Sequence, residues 1–244
     1  MPKVTEMLEK LKNDVFKANL ELVQKGLVIH TWGNVSAKDK KSGLIVIKPS
    51  GVSYHSMKAD DMVVIDQVGN LVEGKYKPST DAPTHILLYR NYKMLGGIVH
   101  THSAYATSWA QAGRAIPPFG TTHADHFYGE VPCTRILTKS EIEKDYEINT
   151  GKIIVEKLGE ADPLAIPSVL VNGHGPFSWG TDADNAVYNA IALEEIAKMA
   201  FYTVLLGKTE PISQFLLDKH FKRKHGKDAY YGQDKNPPTP LKGG

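Results

Sequence analysis

The run Gly96–Gly97–Ile98–Val99–His100–Thr101–His102–Ser103 constrains this chain more than any other segment. Its two glycines read as a turn, and the two β-branched residues after them as a short buried strand. Upstream, Thr80 and Asp81 are both helix-capping types and Pro83 suits a first turn, so a helix is predicted through His85, Leu88 and Tyr89. Downstream, Ser103 can cap a second helix running through Gln111. A short strand between two helices points to an α/β domain. Alternate residues of a strand project from one face, so the imidazoles of His100 and His102 can aim at one point. Two neutral imidazoles that converge are the start of a site for a divalent transition metal, zinc first.

The rest of the chain alternates in the same way. Leu8, Leu11, Val15, Ala18, Leu20 and Leu22 recur near the helical period, which predicts a helix from Thr5 to Gln24 with Gly26 as its stop. Strands are predicted at Leu27–His30, Val35–Ala37, Leu44–Ile47 and Met62–Ile65, with turns such as Gly69–Asn70 favouring antiparallel pairing in this half. Helices are expected at Ser140–Leu158, Asp182–Leu206 and Pro211–His225, and a buried strand at Pro167–Asn172. There is no internal repeat and no long linker, so residues 1–233 are read as one domain. Residues 234–244, rich in proline and glycine, are read as a surface tail.

Composition narrows the partners. Basic and acidic residues nearly balance at a net charge of +2, which gives no case for nucleic acid or a membrane surface. The single cysteine, Cys133, excludes an intrachain disulfide and reads as structural in a reducing compartment. The charged N-terminal segment lacks the apolar core of a signal peptide, and no stretch approaches the roughly 20 apolar residues of a membrane helix. A cytoplasmic protein is expected.

Further ligands for the histidine pair can be named. His174 ends an apolar strand between Gly173 and Gly175, and Asp81 can add an oxygen. Such nitrogen and oxygen donors suit zinc or another first-row divalent ion, and the lack of paired cysteines argues against a purely structural zinc cage. A second group has the chemistry of an anion site: the turns Thr31–Asn34 and Lys48–Gly51, and the hydroxyls of Ser79 and Thr80 at a helix start, where backbone N–H groups are unpaired. Each alone reads as an ordinary turn; three together point to a phosphorylated substrate. A third group, His123, Asp125 and His126, lies in a loop between Gly120 and Gly129 that reads either as a proton-carrying loop or as a solvated one. The basic run from His220 through Arg223 to His225, followed by Tyr230 and Tyr231, reads as a solvated helix face whose tyrosines can reach a neighbouring subunit.

The blocks TWGNVSA, IKPSGV, STDAPTH, GGIVHTHS, WAQAG, GTTHAD, PCTR, HGPF, ALEE and LLDKHFKRKHGKDAYYGQ occur in an order that resembles the L-ribulose-5-phosphate 4-epimerases of the class II aldolase and adducin-head family. The resemblance spans roughly residues 7 to 233. It implies a three-layer α-β-α fold around a mixed, largely antiparallel sheet. It implies a metal shell of Asp81, His100, His102 and His174 holding Zn2+, Mn2+ or Co2+. Asn34, Lys48, Ser50, Gly51, Ser79 and Thr80 match the positions that hold the substrate and its phosphate. Asp125 matches one acid/base, and Tyr231 the other, supplied by an adjacent subunit of a homotetramer together with His220. The implied substrate is a phosphorylated ketopentose in pentose breakdown such as arabinose catabolism, and the implied reaction is epimerisation by C3–C4 cleavage and re-formation. Thr80 stands where serine is common and His126 where an aromatic is common; the hydroxyl is kept. An aldolase acting on fuculose or rhamnulose phosphate is the alternative on the same fold, although those usually carry glutamate where Asp81 stands. A non-enzymatic adducin-head-like assembly module is the other alternative, although it should have lost the metal histidines.

Overall fold

A computed structural model describes residues 4–227, 229, 230 and 232. Tyr231 and the predicted tail at 234–244 lie outside the described residues. The elements follow in the order α1 (Val4–Gln24), β1 (Asn34–Lys38), β2 (Ile45–Ile47), β3 (Val63–Ile65), β4 (Leu71–Glu73), α2 (Ala82–Asn91), β5 (Gly97–His100) and α3 (Ala104–Gln111). Then come α4 (Thr121–Ala124), α5 (Lys139–Glu143), α6 (Tyr146–Leu158), β6 (Ser168–Leu170), β7 (Pro176–Gly180), α7 (Ala183–Leu205) and α8 (Gln214–His225).

The strands form one seven-stranded sheet in the order β4-β3-β2-β1-β5-β7-β6. Every pairing among them is antiparallel. The parallel component of the expected mixed sheet is reduced, among the described residues, to an isolated bridge between Cys133 and Leu170. Both faces of the sheet are covered, and the period of two explains how. Ile45, Ile47, Val63, Ile65 and Ile98 pack with residues of α2 and α6 on one face. Val46, Val64 and Val99, one residue out of phase, pack with α1 and the first half of α7 on the other. The result is the α-β-α sandwich. A third cluster joins α3 and the second half of α7 to Ile116, Phe127 and Val131.

Several expectations shift. Leu27–His30 is not a strand: Leu27 and Val28 are buried, but the Leu27 N–H returns to Leu22 O and His30 takes a left-handed φ of 56°, so the segment closes α1 and turns. The stretch Ser140–Leu158 is two helices, broken where Asp145 is left-handed at φ 55°. β5 ends at His100, so His102 lies just beyond the strand rather than on it. β4, α4 and β7 are additional to the elements that the sequence predicts. No helix among the described residues is long and apolar enough to cross a membrane.

Register positions the site. His100 is the Cα partner of Asn34 on β1 and of Phe177 on β7, so three strands end in one row. Glycines let loops close on that row. A Cβ at Gly33 (φ 80°) would lie 2.7 Å from His100 O, and one at Gly175 would lie 2.8 Å from Thr101 O. Neither approach tolerates a side chain.

Candidate active site

The row ends in a cavity of about 500 Å3 that collects most of the residues singled out from sequence. Asn34, Lys48, Ser50, Gly51, Ser79, Thr80, Asp81, His100, His102 and His174 all line it. Asp125 and His220 are not among its lining residues.

The imidazoles of His100, His102 and His174 form a tight group whose nitrogens all lie within 4.8 Å of one another. The Nδ1–H of His100 points at Pro176 O (2.9 Å), which leaves Nε2 as a lone-pair donor. Phe177 stacks on the same ring at 4.2 Å between centroids. The His100 Nε2 then faces His102 Nε2 across 3.1 Å. Burial, and after it the neighbouring imidazoles, push the His174 pKa from 6.5 to about 3, and burial lowers that of His102. His102 and His174 therefore favour the neutral, ligating form. Zinc–nitrogen bonds of about 2.0–2.1 Å at tetrahedral angles put ligand atoms about 3.3 Å apart, so this donor set fits a divalent cation. Asp81 faces the same cavity but stands outside the imidazole group. It occupies the cap position of α2 without capping, and its Oδ2 accepts instead from Asn34 Nδ2 at 2.7 Å. Burial opposes its ionisation, but His100, His85 and the Asn34 amide together hold its carboxyl below the usual range.

The anion turns meet through backbone. A bridge pairs Pro49 with Pro78, the Ser50 N–H donates to Lys77 O and the Ser79 N–H to Lys48 O, both at 3.0 Å. Lys48 is 2% exposed; its ammonium donates to Val52 O at 3.0 Å and sits 4.7 Å from the Tyr54 ring centroid. Burial lowers its pKa to about 8, so an arriving phosphate would stabilise the charged form. The Oδ1 of Asn34 is buried without a partner, an acceptor available to a hydroxyl.

Sequence reasoning missed Tyr146 and Glu147, which also line the cavity. The Tyr146 hydroxyl lies 3.3 Å from His174 Nδ1 and can fix that ring. Neither glycine nor proline marks the break before α6 that puts Tyr146 there.

Asp125 ends α4, and its carboxylate is the hub of a separate cluster. Arg223 donates to both oxygens (2.8 and 2.9 Å), His220 Nδ1 lies 3.0 Å away and Lys224 3.5 Å, all on α8 of the same chain. His220, expected to serve the site from an adjacent subunit, thus bonds Asp125 within its own chain. Burial opposes ionisation of Asp125, but the Arg223 and His220 hydrogen bonds outweigh it and hold the carboxyl below its usual range.

The class II aldolase and adducin N-terminal domain family matches the chain over residues 13–201. The chain belongs to that family. Among curated proteins it is similar to the L-ribulose-5-phosphate 4-epimerase UlaF of Salmonella paratyphi B, at 57% identity over 93% of this chain and all of that protein. Among solved structures it is similar to an L-fuculose 1-phosphate aldolase, with a TM-score of 0.75, 25% identity, and coverage of 88% of this chain and 95% of that one. An L-fuculose 1-phosphate aldolase from Glaciozyma antarctica PI12 also has a TM-score of 0.75, at 19% identity over 91% of this chain and 84% of its own, and so shares the class II aldolase fold.

Two further buried histidines of this class II aldolase domain predict its acid response. His85 is fully buried with Nε2 unpartnered, and His123 is 4% exposed with Nδ1 unpartnered. Burial moves their pKa values from 6.5 to about 3 and about 4. Between about pH 6.5 and pH 4 the unfolded chain binds the protons that the folded chain refuses, so stability is full above that window and falls as the pH drops through it. Urea unfolding of metal-free protein should show a lower midpoint at about pH 5 than at about pH 7.5. Equal midpoints would contradict the neutral assignment.

Proposed function

We propose that the protein interconverts L-ribulose 5-phosphate and D-xylulose 5-phosphate. The observation that carries this reading is one cavity holding a three-imidazole metal group beside paired anion turns; the identity to an epimerase over the whole length of that relative supports it. The C4 hydrogen of a ketopentose phosphate is not acidic, so inversion proceeds through the C3–C4 bond. The C4 hydroxyl gives up its proton, the C3–C4 electron pair stays with the three-carbon fragment as an enediolate, and C4 becomes the aldehyde of glycolaldehyde phosphate. After rotation, the other face of that aldehyde is attacked and the oxygen regains a proton.

A divalent cation held by His100, His102 and His174, with Asp81 as fourth ligand, supplies a Lewis acid for the charge that develops on the ketone side. Zinc is the first choice, with manganese or cobalt possible substitutes. Lys48, Ser50, Gly51, Ser79 and Thr80 grip the phosphate, and Asn34 Oδ1 accepts a substrate hydroxyl. Asp125 and Tyr231 transfer protons on opposite faces, with His220 supporting them. Asp125 and His220 lie outside the cavity lining, which supports a homotetramer whose active sites are completed across subunits. Exposed Phe201, Tyr202, Leu205, Leu206 and Phe215 offer apolar surface for such contacts. Residues 1–233 act as one domain in the cytoplasm, within pentose catabolism such as that of arabinose. A coupled assay on zinc-loaded protein should register D-xylulose 5-phosphate. Its absence, with dihydroxyacetone and glycolaldehyde phosphate accumulating instead, would make the protein an aldolase.

A further inference from the structure

The chain has three tryptophans, and two are core residues. Trp109 is 6% exposed and Trp179 fully buried, and their indole N–H groups donate to Ala197 O (3.0 Å) and Pro163 O (2.7 Å). Trp32 is 51% exposed and lines the active-site cavity. A large aromatic ring half in water is not placed there by core packing.

Its backbone is nevertheless fixed. The Trp32 N–H donates to Ile29 O at 3.1 Å, and the Tyr54 hydroxyl donates to Trp32 O at 3.2 Å and Gly33 O at 2.9 Å. His30, two residues earlier, holds a left-handed φ of 56°, a conformation that costs free energy for a residue with a side chain. The indole meets the His30 ring at 5.9 Å between centroids and the His102 ring at 6.4 Å. It thus reaches from the turn at His30 to the imidazole group, which it meets through His102.

We propose that Trp32 is the wall that retains the cleaved aldehyde fragment, a residue that sets epimerisation against release. The inference rests on the epimerase reading. After C3–C4 cleavage the site holds glycolaldehyde phosphate, gripped by its phosphate, and the enediolate of dihydroxyacetone. If the aldehyde stays and rotates, the enediolate electron pair closes C3–C4 on either face. If it escapes, the enediolate takes a proton at C3 and leaves as dihydroxyacetone. The anion turns hold one end of the two-carbon fragment; a rigid apolar face beside His102 covers its reactive end and still allows rotation about it.

Dihydroxyacetone released from L-ribulose 5-phosphate, counted by NADH-coupled reduction, should rise about tenfold per epimerisation in Trp32→Ala and much less in Trp32→Phe. An unchanged ratio in Trp32→Ala overturns the proposal. Because Trp32 is the one exposed tryptophan, glycolaldehyde phosphate should shift the emission of the wild-type protein and not that of Trp32→Phe. Unaltered wild-type emission at saturating glycolaldehyde phosphate overturns the role of Trp32 even where epimerisation is intact. A wild-type protein whose emission shifts but which forms no D-xylulose 5-phosphate sinks the epimerase reading and keeps Trp32 as a wall of the cavity.

Discussion

His100→Asn is expected to release the metal and to lower epimerase turnover by about a thousandfold or more. Of the three imidazoles, His100 is the most tightly prescribed. Its Nδ1–H is tied to Pro176 O, its ring is stacked on Phe177, and its Cα is paired in register with Asn34 on one side and Phe177 on the other. These restraints leave Nε2 only one direction, toward His102. An asparagine amide is shorter and a far weaker donor to a transition metal, and the two remaining imidazoles cannot close a tetrahedral shell without it. Metal analysis after dialysis and the coupled D-xylulose 5-phosphate assay read the two effects separately. Circular dichroism confirms that the variant, which keeps a polar group at a buried position, is folded. Stoichiometric metal retained by His100→Asn would remove this residue from the shell.

How much of this was legible beforehand depends on the kind of constraint. The strand Gly97–His100 is readable because its β-branched pair and flanking glycines are local signals, and Asn34, Lys48, Ser79 and Asp81 because each sits at a strand end or a helix start beside residues that favour turns. At Leu27–His30 the apolar residues have the pattern of a strand, yet they cover the end of α1 and the chain then turns at His30. β7 is hidden by Pro176 and the glycines around it, although antiparallel pairing with both β5 and β6 makes it an interior strand of the sheet. Tyr146 was hidden for a deeper reason. Asp145 takes its left-handed conformation in a segment with no glycine, so the helix break that delivers Tyr146 to His174 reflects tertiary contacts rather than propensity. The bond from His220 to Asp125 crosses 95 residues and leaves no local trace.

Asp125→Asn should lower kcat by about two to four orders of magnitude while metal content stays unchanged. Asparagine keeps the size of the side chain and much of its hydrogen bonding to Arg223 and His220, so loss of activity with an intact fold isolates the charge. The same cluster determines the pH dependence. Burial alone would raise the Asp125 pKa, but the two-pronged bond from Arg223 and the contact with His220 hold it below the ordinary carboxylate value. The group is then already ionised across the neutral range, the form that the proposed transfer of the C4 hydroxyl proton requires. Any acidic limb in the wild-type kcat profile above about pH 5 must come from other groups. Arg223→Gln removes the cation, the carboxyl pKa rises, and the carboxylate is lost at higher pH, so a limb should appear or move upward by about one unit. Arg223→Lys restores the charge without the fork and should recover most of the profile. A kcat profile unmoved by Arg223→Gln would show that the ion pair fastens α8 to α4 without tuning the proton carrier. Full activity in Asp125→Asn would take the proton transfer away from this loop altogether.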